Sequence, residues 1–183
     1  PLASESFIAL FPGASIPEKR WGADRFRRVA EMLSAFGINT VVVGGKEDRQ
    51  QGEVVAGGGL GLNLAGLTSL SETAAVIQKS ALLLSGDSGV LHIAAGLGVP
   101  TVSLFGPGMT KKWAPRGDHH IVINKELLCS PCTTFGNTPP CPNNNRCMQD
   151  ISVDEVVNAI TMLLNSVGAM PSRCCKRDWI ETA

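Results

Sequence analysis

The sequence contains no tyrosine, and aromatic residues make up only 5% of its 183 residues. Proteins that bind single-stranded nucleic acids use aromatic side chains as stacking platforms, so this shortage argues against that class of function. A basic excess is also absent, because sixteen basic and sixteen acidic residues cancel. Nonspecific nucleic-acid binding needs such an excess. We therefore expect no nucleic-acid partner.

Long apolar runs and a signal-peptide pattern are absent as well. No apolar stretch approaches the roughly 20 residues needed to span a bilayer. Residues 1–6 have neither the basic nor the apolar region of a signal peptide. We therefore expect a cytoplasmic protein whose six cysteines are thiols or metal ligands rather than disulfides. A hydrophobic fraction of 44% is enough for the core of one domain.

Short apolar segments alternate with helix-like segments along the chain. Apolar runs predict strands at residues 7–11, 40–43, 62–65, 81–85, 101–105 and 120–123. Apolar spacing and end signals predict helices at residues 26–33, 46–56, 73–79, 90–97 and 156–164. Such alternation is typical of an α/β fold, a Rossmann-like parallel sheet with helices on both faces. We expect one domain over residues 1–167 and a tail without a clear pattern over residues 168–183.

Five segments of the predicted domain directly follow strands. In a parallel sheet, ligands bind beyond the carboxyl ends of the strands. We therefore expect these segments to line a single edge of the sheet, and they are residues 12–21, 44–47, 65–69, 86–89 and 106–112.

The turn at residues 86–89 (Gly-Asp-Ser-Gly) has the features of a phosphate site. It carries a buried strand into an apolar helix, whose start has unpaired N–H groups and a positive dipole end. Ser88 and His92 are four residues apart and project from one side of the first helical turn. A carboxylate repels phosphate, so we expect Asp87 to cap the helix or orient the turn. Ser88 and the Gly89 N–H group would then face the ligand.

Two further segments could complete such a site. Lys19, after the first strand, would supply a cation for phosphate, and Ser15 a hydroxyl donor. Taken alone, that loop favours a solvated surface lysine beside a helix start. Glu47 and Asp48 follow the second strand, where an acidic residue often accepts from a ribose hydroxyl. A negative residue favourably placed at a helix start is the alternative interpretation.

Four cysteines lie in an irregular loop at residues 129–147. The spacing is Cys129-x2-Cys132-x8-Cys141-x5-Cys147, loosely similar to a zinc knuckle. A structural zinc would stabilise a loop too polar to fold alone, but the irregular second pair weakens that interpretation. Zinc ligands and free thiols both remain open, and we assign neither a metal nor a cofactor to the predicted site.

Taken together, these motifs resemble glycosyltransferase family 9, the ADP-heptose:lipopolysaccharide heptosyltransferases. The cysteine loop is similar to that of heptosyltransferase II-like members. The resemblance covers about residues 7–164. It rests on several spaced motifs in the family's order: Gly13-Ala14-Ser15…Lys19-Arg20-Trp21, residues 64–70 (Leu-Ala-Gly-Leu-Thr-Ser-Leu), residues 87–95 (Asp-Ser-Gly-Val-Leu-His-Ile-Ala-Ala), Gly98-Val99-Pro100 and residues 104–107 (Leu-Phe-Gly-Pro).

The resemblance implies a fold and a set of donor contacts. The family has the GT-B fold, two Rossmann-like domains facing a cleft, and this chain resembles the C-terminal, donor-binding half. Ser15 and Lys19 would contact the donor diphosphate, and Glu47 the nucleoside. The phosphate turn would consist of Asp87, Ser88, Gly89 and His92.

The resemblance also implies a mechanism and partners. Transfer in the family is inverting and metal-independent, with Lys19 stabilising the leaving diphosphate. The donor would be ADP-heptose or a similar nucleotide sugar. The acceptor would be the lipopolysaccharide core at the inner membrane face, where a cytoplasmic protein can bind peripherally. The acidic general base belongs to the N-terminal domain, so we expect this chain alone to bind donor without transferring sugar.

Two other functions remain open at this point. One is the C-terminal half of another GT-B enzyme, such as a nucleotide-sugar 2-epimerase. The other is a non-catalytic nucleotide-binding module. A dinucleotide-dependent oxidoreductase is disfavoured, because residues 86–89 do not match the G-x-G-x-x-G fingerprint.

Overall fold

Six parallel strands form one sheet in the computed structural model, which describes residues 6–170. The strands are β1 (Phe7–Phe11), β2 (Asn39–Val42), β3 (Leu62–Asn63), β4 (Leu82–Gly86), β5 (Thr101–Phe105) and β6 (His120–Asn124). Their spatial order is β3-β2-β1-β4-β5-β6, and every neighbouring pair is parallel. This is the strand order of the Rossmann fold. The predicted fold class and all six predicted strands are confirmed.

Seven α-helices connect and follow the strands within the described residues. They are α1 (Ala23–Ala35), α2 (Arg49–Ala56), α3 (Leu70–Gln78), α4 (Gly89–Gly96), α5 (Thr110–Trp113), α6 (Arg146–Gln149) and α7 (Val153–Ser166). The five predicted helices are present as α1 to α4 and α7. The helix predicted from residue 46 begins with a 3-10 turn, Lys46–Asp48, before α2. Helices α5 and α6 were not predicted, because four residues are too few to show the apolar spacing of a helix.

Helix ends follow local hydrogen-bonding rules. At the start of α3, the Ser69 hydroxyl accepts from the Glu72 N–H group at 3.3 Å, and Glu72 Oε2 accepts from the Ser69 N–H group at 2.8 Å. This reciprocal pair is the predicted capping box. At the end of α1, Gly37 has φ +73°, a left-handed conformation that favours glycine. Both end signals were readable because they depend on residues close in sequence.

The core has two layers, one on each face of the sheet. On one face, alternate strand residues such as Ile8 and Leu10 pack with α1, α2 and α7. On the other face, Phe7 and Ala9 pack in a cluster that includes Ile77 of α3 and Ala94 of α4. Successive side chains of a strand point to opposite faces, which explains this division. The helices therefore cover both faces, as the alternating pattern predicted.

Trp21 anchors the segment between β1 and α1. Its side chain is buried and meets the Phe26 ring edge-on, with ring centroids 5.4 Å apart. The indole Nε1–H donates to the Ile151 carbonyl oxygen at 3.0 Å, just before α7. Burial of a large aromatic ring and a satisfied indole donor both stabilise this link. The loop at residues 12–20 is therefore anchored at one end by β1 and at the other by the buried Trp21.

Of the predicted tail, the structure describes residues 168–170. Ala169 and Met170 pack against the larger core cluster. Residues 171–183 lie outside the described residues, so the domain boundary at residue 167 stays a prediction. Among residues 6–170, no helix combines the length and the apolar character needed to cross a membrane.

Candidate functional site

The site lies between β1 and β4, where the strand order of the sheet reverses. These strands are neighbours at the centre of the sheet, and the connections after them run to opposite sides. In open parallel sheets, this switch point is where ligands bind. The loop after β1 includes a short 3-10 turn, Pro17–Lys19, that delivers Lys19 to this crevice. The turn after β4 delivers Asp87.

Lys19 and Asp87 form an ion pair across the switch point. Lys19 Nζ donates to Asp87 Oδ2 at 2.6 Å, and their side chains are only 16% and 8% exposed. The two residues are 68 positions apart in sequence. A charge-assisted hydrogen bond shielded from water is stronger than one at the surface. The pair therefore joins the two halves of the predicted phosphate site.

Asp87 does not cap α4, and that part of the prediction is wrong. Ser88 is the N-cap, because its hydroxyl accepts from the Leu91 N–H group at 3.3 Å. Helix α4 begins at Gly89, so Asp87 lies one residue too early to cap it. The ammonium group of Lys19 binds the carboxylate instead. Asp87 thus holds Lys19, a pairing that the sequence analysis did not predict, and its predicted role in orienting the turn stays a prediction.

The Ser88 hydroxyl is held from two sides. Besides accepting from Leu91, it lies 2.9 Å from the Ser85 hydroxyl, which itself donates to the Gly86 carbonyl oxygen at 2.9 Å. Ser88 is therefore the donor to Ser85. The Gly89 and Val90 N–H groups precede the first intrahelical hydrogen bond, and they are the donors that the helix start offers an anion.

Two adjoining cavities meet at this helix start. The larger has a volume of about 880 Å³ and is lined by six of the predicted residues: Ser15, Lys19, Asp87, Ser88, Gly89 and His92. The smaller, of about 520 Å³, is lined by the seventh, Glu47. Ser15, Ser88 and Gly89 line both cavities. The structure thus brings all seven predicted residues to one connected site.

Glu47 and Asp48 differ sharply in their surroundings. Asp48 is buried, and its Oδ2 accepts from the Gly45 N–H group at 2.9 Å. Burial raises the pKa of Asp48, while that hydrogen bond partly offsets the rise. A Cβ atom at Gly13 would lie only 2.1 Å from Asp48 Oδ1, so glycine makes room for this carboxylate. Glu47 is exposed and is the carboxylate available to a ligand in the smaller cavity.

Arg20 fixes the loop that carries Ser15 and Lys19. Its Nε and Nη2 atoms donate to the Ala14 carbonyl oxygen at 3.1 and 3.0 Å. Arg20 also lines the smaller cavity. A planar guanidinium that grips one carbonyl with two donors closes residues 14–20 into a fixed loop. Ser15 and Lys19 lie within that loop.

Helix α5 contributes a wall that the sequence did not reveal. Trp113 meets the His92 ring edge-on, with centroids 6.0 Å apart, and the Lys112 ammonium lies 4.9 Å from the Trp113 ring centroid. Lys112 and Trp113 both line the larger cavity. The available signal was the position of Lys112 within residues 106–112, a segment after β5 that was expected at this edge; Trp113 lies one residue beyond that segment.

The cysteine loop forms a second unexpected wall of the larger cavity. The Cys132 and Thr133 N–H groups donate to the Pro107 carbonyl oxygen at 3.1 and 3.0 Å. These bonds hold the loop against the segment after β5. Thr133, Thr134 and Phe135 therefore line the cavity. Nothing in the sequence signals that the cysteine loop packs against the segment after β5, because this packing depends on backbone hydrogen bonds between distant segments.

The four cysteines of the loop surround a third, smaller cavity of about 170 Å³. All four are free thiols, and Cys147 is buried. Burial raises the pKa of Cys132 and of Cys147, and the neighbouring Cys141 thiol raises both further. Within residues 6–170, no group of three or more histidine, cysteine, aspartate or glutamate side chains is arranged to hold a metal ion. The structure therefore gives the zinc interpretation no coordination geometry.

The strand order and the crevice beside α4 define a Rossmann-like domain with a site of the kind that binds nucleotides. More particularly, the chain belongs to glycosyltransferase family 9 (heptosyltransferase), whose family model matches residues 2–141. The family match confirms the resemblance seen in the motifs and sets aside the nucleotide-sugar 2-epimerase alternative.

Individual relatives agree with this assignment. The chain is 32% identical to lipopolysaccharide heptosyltransferase 2 of Salmonella typhimurium over 175 residues, or 91% of this chain and 49% of that protein. It superimposes on the structure of Escherichia coli ADP-heptose LPS heptosyltransferase II with a TM-score of 0.73 and 26% identity, covering 91% of this chain and 49% of the other. It also superimposes on the structure of a family 9 glycosyltransferase from Veillonella parvula with a TM-score of 0.75 and 28% identity, covering 90% of this chain and 47% of the other. The chain spans about half the length of these relatives.

Proposed function

We propose that this chain is the donor-binding half of an inverting heptosyltransferase. It binds ADP-heptose and, with a second Rossmann-like domain, transfers heptose to the lipopolysaccharide inner core. The observation that carries the proposal is the Lys19–Asp87 pair beside the start of α4, where two cavities meet. Family membership and the relatives whose names include lipopolysaccharide and ADP-heptose support it.

The nucleoside belongs in the smaller cavity. Its charged lining residues are Arg20, Glu47 and Asp48, which together carry an acidic excess unsuited to phosphate. A ribose is uncharged and donates hydrogen bonds through its hydroxyl groups, and the exposed Glu47 carboxylate accepts them. Apolar side chains such as Val90 and Ile93 line the same cavity and suit a base.

The diphosphate belongs where the cavities meet. Ser15, Ser88 and Gly89 line both cavities, and the positive end of the α4 dipole lies there. The sugar then extends into the larger cavity, beside His92. This order places each part of a nucleotide sugar in the region whose charge suits it.

The chemistry follows from that placement. An acceptor hydroxyl attacks the anomeric carbon of heptose, the bond from that carbon to the phosphate oxygen breaks, and ADP leaves with the bonding electron pair. Negative charge grows on the diphosphate during this step. Lys19 and the α4 N–H groups are preorganised to stabilise it. A general base in the partner domain takes the hydroxyl proton. The transfer takes place at the cytoplasmic face of the inner membrane, where the acceptor is.

Calorimetry with the 183-residue chain tests donor binding. We expect ADP to bind and UDP to bind much more weakly. Equal binding of both nucleotides, or none of ADP, would contradict the proposal. Transfer is tested separately by supplying the complementary half of a family 9 enzyme. We expect turnover only in the mixture, and turnover by this chain alone would overturn the proposed division of labour.

A further inference from the structure

Within residues 6–170, one cation that lines the larger cavity forms no ion pair with a carboxylate. Among its lining residues, those with a formal charge are Lys19, Asp87 and Lys112. Lys19 and Asp87 cancel each other through their 2.6 Å ion pair. A nucleotide sugar carries a negative charge on each of its two phosphates. One neutralised lysine and a helix dipole leave part of that charge unmatched, and Lys112 is the positive group remaining in the cavity.

Ring contacts fix where Lys112 lies. Its ammonium group is 4.9 Å from the centre of the Trp113 ring, a cation–π distance. Trp113 in turn meets His92 edge-on at 6.0 Å. His92 lies on α4 one turn after Ser88, which caps the helix. These contacts link Lys112 through Trp113 and His92 to α4, and all three side chains line the cavity that Ser88 and Gly89 also line.

We propose that Lys112 is the second cation of the donor site and binds the phosphate that bears the sugar, with Trp113 as its positioning residue. This inference rests on the proposed function. The two cavities share Ser15, Ser88 and Gly89, whereas Lys112 and Trp113 line only the larger one. A nucleotide whose nucleoside occupies the smaller cavity therefore presents its distal phosphate to Lys112.

Lys112 has a consequence for the transfer step as well as for binding. When the anomeric carbon separates from the phosphate oxygen, the released charge appears on the distal phosphate. A cation at that phosphate binds the transition state more tightly than the intact donor. Lys19 cannot supply this effect in full, because Asp87 already shares its charge.

Calorimetry with ADP and AMP on the full chain tests the inference. In Lys112→Gln we expect ADP affinity to fall roughly tenfold, as for the loss of one charged hydrogen bond. AMP lacks the distal phosphate, so its affinity should not change. Lys111→Gln is the matched control, because Lys111 is an exposed neighbour that does not line the cavity. Wild-type ADP affinity in Lys112→Gln, or an equal loss for AMP, would overturn the assignment.

Trp113 variants test the positioning role. Trp113→Phe keeps an aromatic face and should retain most of the ADP-over-AMP preference, whereas Trp113→Ala should lose it. Equal preference in the two variants would remove Trp113 from this role. If the wild-type chain fails to bind ADP, the proposed function and this inference both fall. If it binds ADP and Lys112→Gln matches it, only this inference fails.

Discussion

Lys19 Nζ lies 2.6 Å from Asp87 Oδ2, and this contact joins the loop after β1 to the turn after β4. Exposed ion pairs contribute little to stability. The side chains of this pair are largely buried, so loss of one partner leaves an unpaired charge with little exposure to solvent. We therefore expect the contact both to stabilise the fold and to shape the proposed donor site.

Removing the lysine should affect both properties. We expect Lys19→Ala to lower the free energy of unfolding by about 3 kcal/mol, because Asp87 is left unpaired. ADP binding should weaken by about 1.5–3 kcal/mol through loss of a charged contact. Urea denaturation and calorimetry measure the two effects.

A double variant separates the two effects of that change. Lys19→Met with Asp87→Asn removes both charges, so stability should recover while ADP affinity stays low. Unchanged ADP affinity in Lys19→Ala would exclude Lys19 from the donor site.

Gly108 controls the space beside Asp87. A Cβ atom at this position would lie 2.2 Å from Asp87 Oδ2, the atom that accepts from Lys19. We expect Gly108→Ala to push the carboxylate away, to cost about 1–3 kcal/mol of stability and to weaken ADP binding. Gly96→Ala is the control, because no atom lies within 4 Å of a Cβ there. Thermal unfolding should separate the two variants, and identical behaviour would show that the carboxylate adapts freely.

The buried carboxylate of Asp48 should make stability depend on pH. Burial raises the pKa of Asp48 in the native state above its ordinary 3.8. At pH values between the ordinary pKa and the raised native-state pKa, the native state therefore binds more protons than the unfolded state. Stability from this group is therefore present at low pH and is lost as pH rises through that window. Asp48→Asn carries no charge and keeps an oxygen acceptor for the Gly45 N–H group. We expect this variant to match or exceed wild-type stability at pH 7.

Urea titrations at two pH values check the Asp48 prediction. The advantage of Asp48→Asn should shrink as the pH falls toward about 3.5, where the wild-type carboxylate is protonated. Asp48→Ala loses the acceptor and should be less stable by about 0.5–1.5 kcal/mol at either pH. An Asn variant that is less stable than wild type only at pH 7 would contradict the expected direction of the pH dependence.

The cysteines of the 129–147 loop should differ in reactivity. Cys129 is exposed, whereas Cys147 is buried and has its pKa raised by that burial. The thiolate is the reactive form, so we expect iodoacetamide to modify Cys129 several-fold faster than Cys147 at neutral pH. Peptide mass spectrometry follows each site, and the difference should vanish in urea. Equal rates in the native protein would mean that the cavity lined by the four cysteines opens readily and exposes Cys147 to the reagent.

Local signals in the sequence were enough to predict most of the elements. Buried strands such as β1 and β4 are continuous apolar runs because both faces of the sheet are covered. The Gly-Asp-Ser-Gly turn was recognisable because strand, turn and helix follow one another directly. Apolar runs do not say which neighbour each strand takes, so the strand order followed only from the predicted Rossmann-like fold class and not from the strands themselves.

Contacts between distant segments account for what the sequence did not reveal. The partner of Asp87 lies 68 residues away, and a carboxylate in a turn fits capping as well as pairing. Helix α5 is four residues long, and nothing periodic marks Lys112 or Trp113. The return of the cysteine loop depends on the Pro107 carbonyl oxygen, an acceptor that every residue type offers.

The central pairing of β1 with β4 has a consequence for how the chain acquires its site. A nascent chain that has not yet reached β4 contains Lys19 but no crevice for it to face. Closing the segment between these strands costs entropy before any contact is gained, so this step should come late in folding. Nucleotide affinity would then appear abruptly as the central strands align, and ligand binding during refolding would report completion of the sheet.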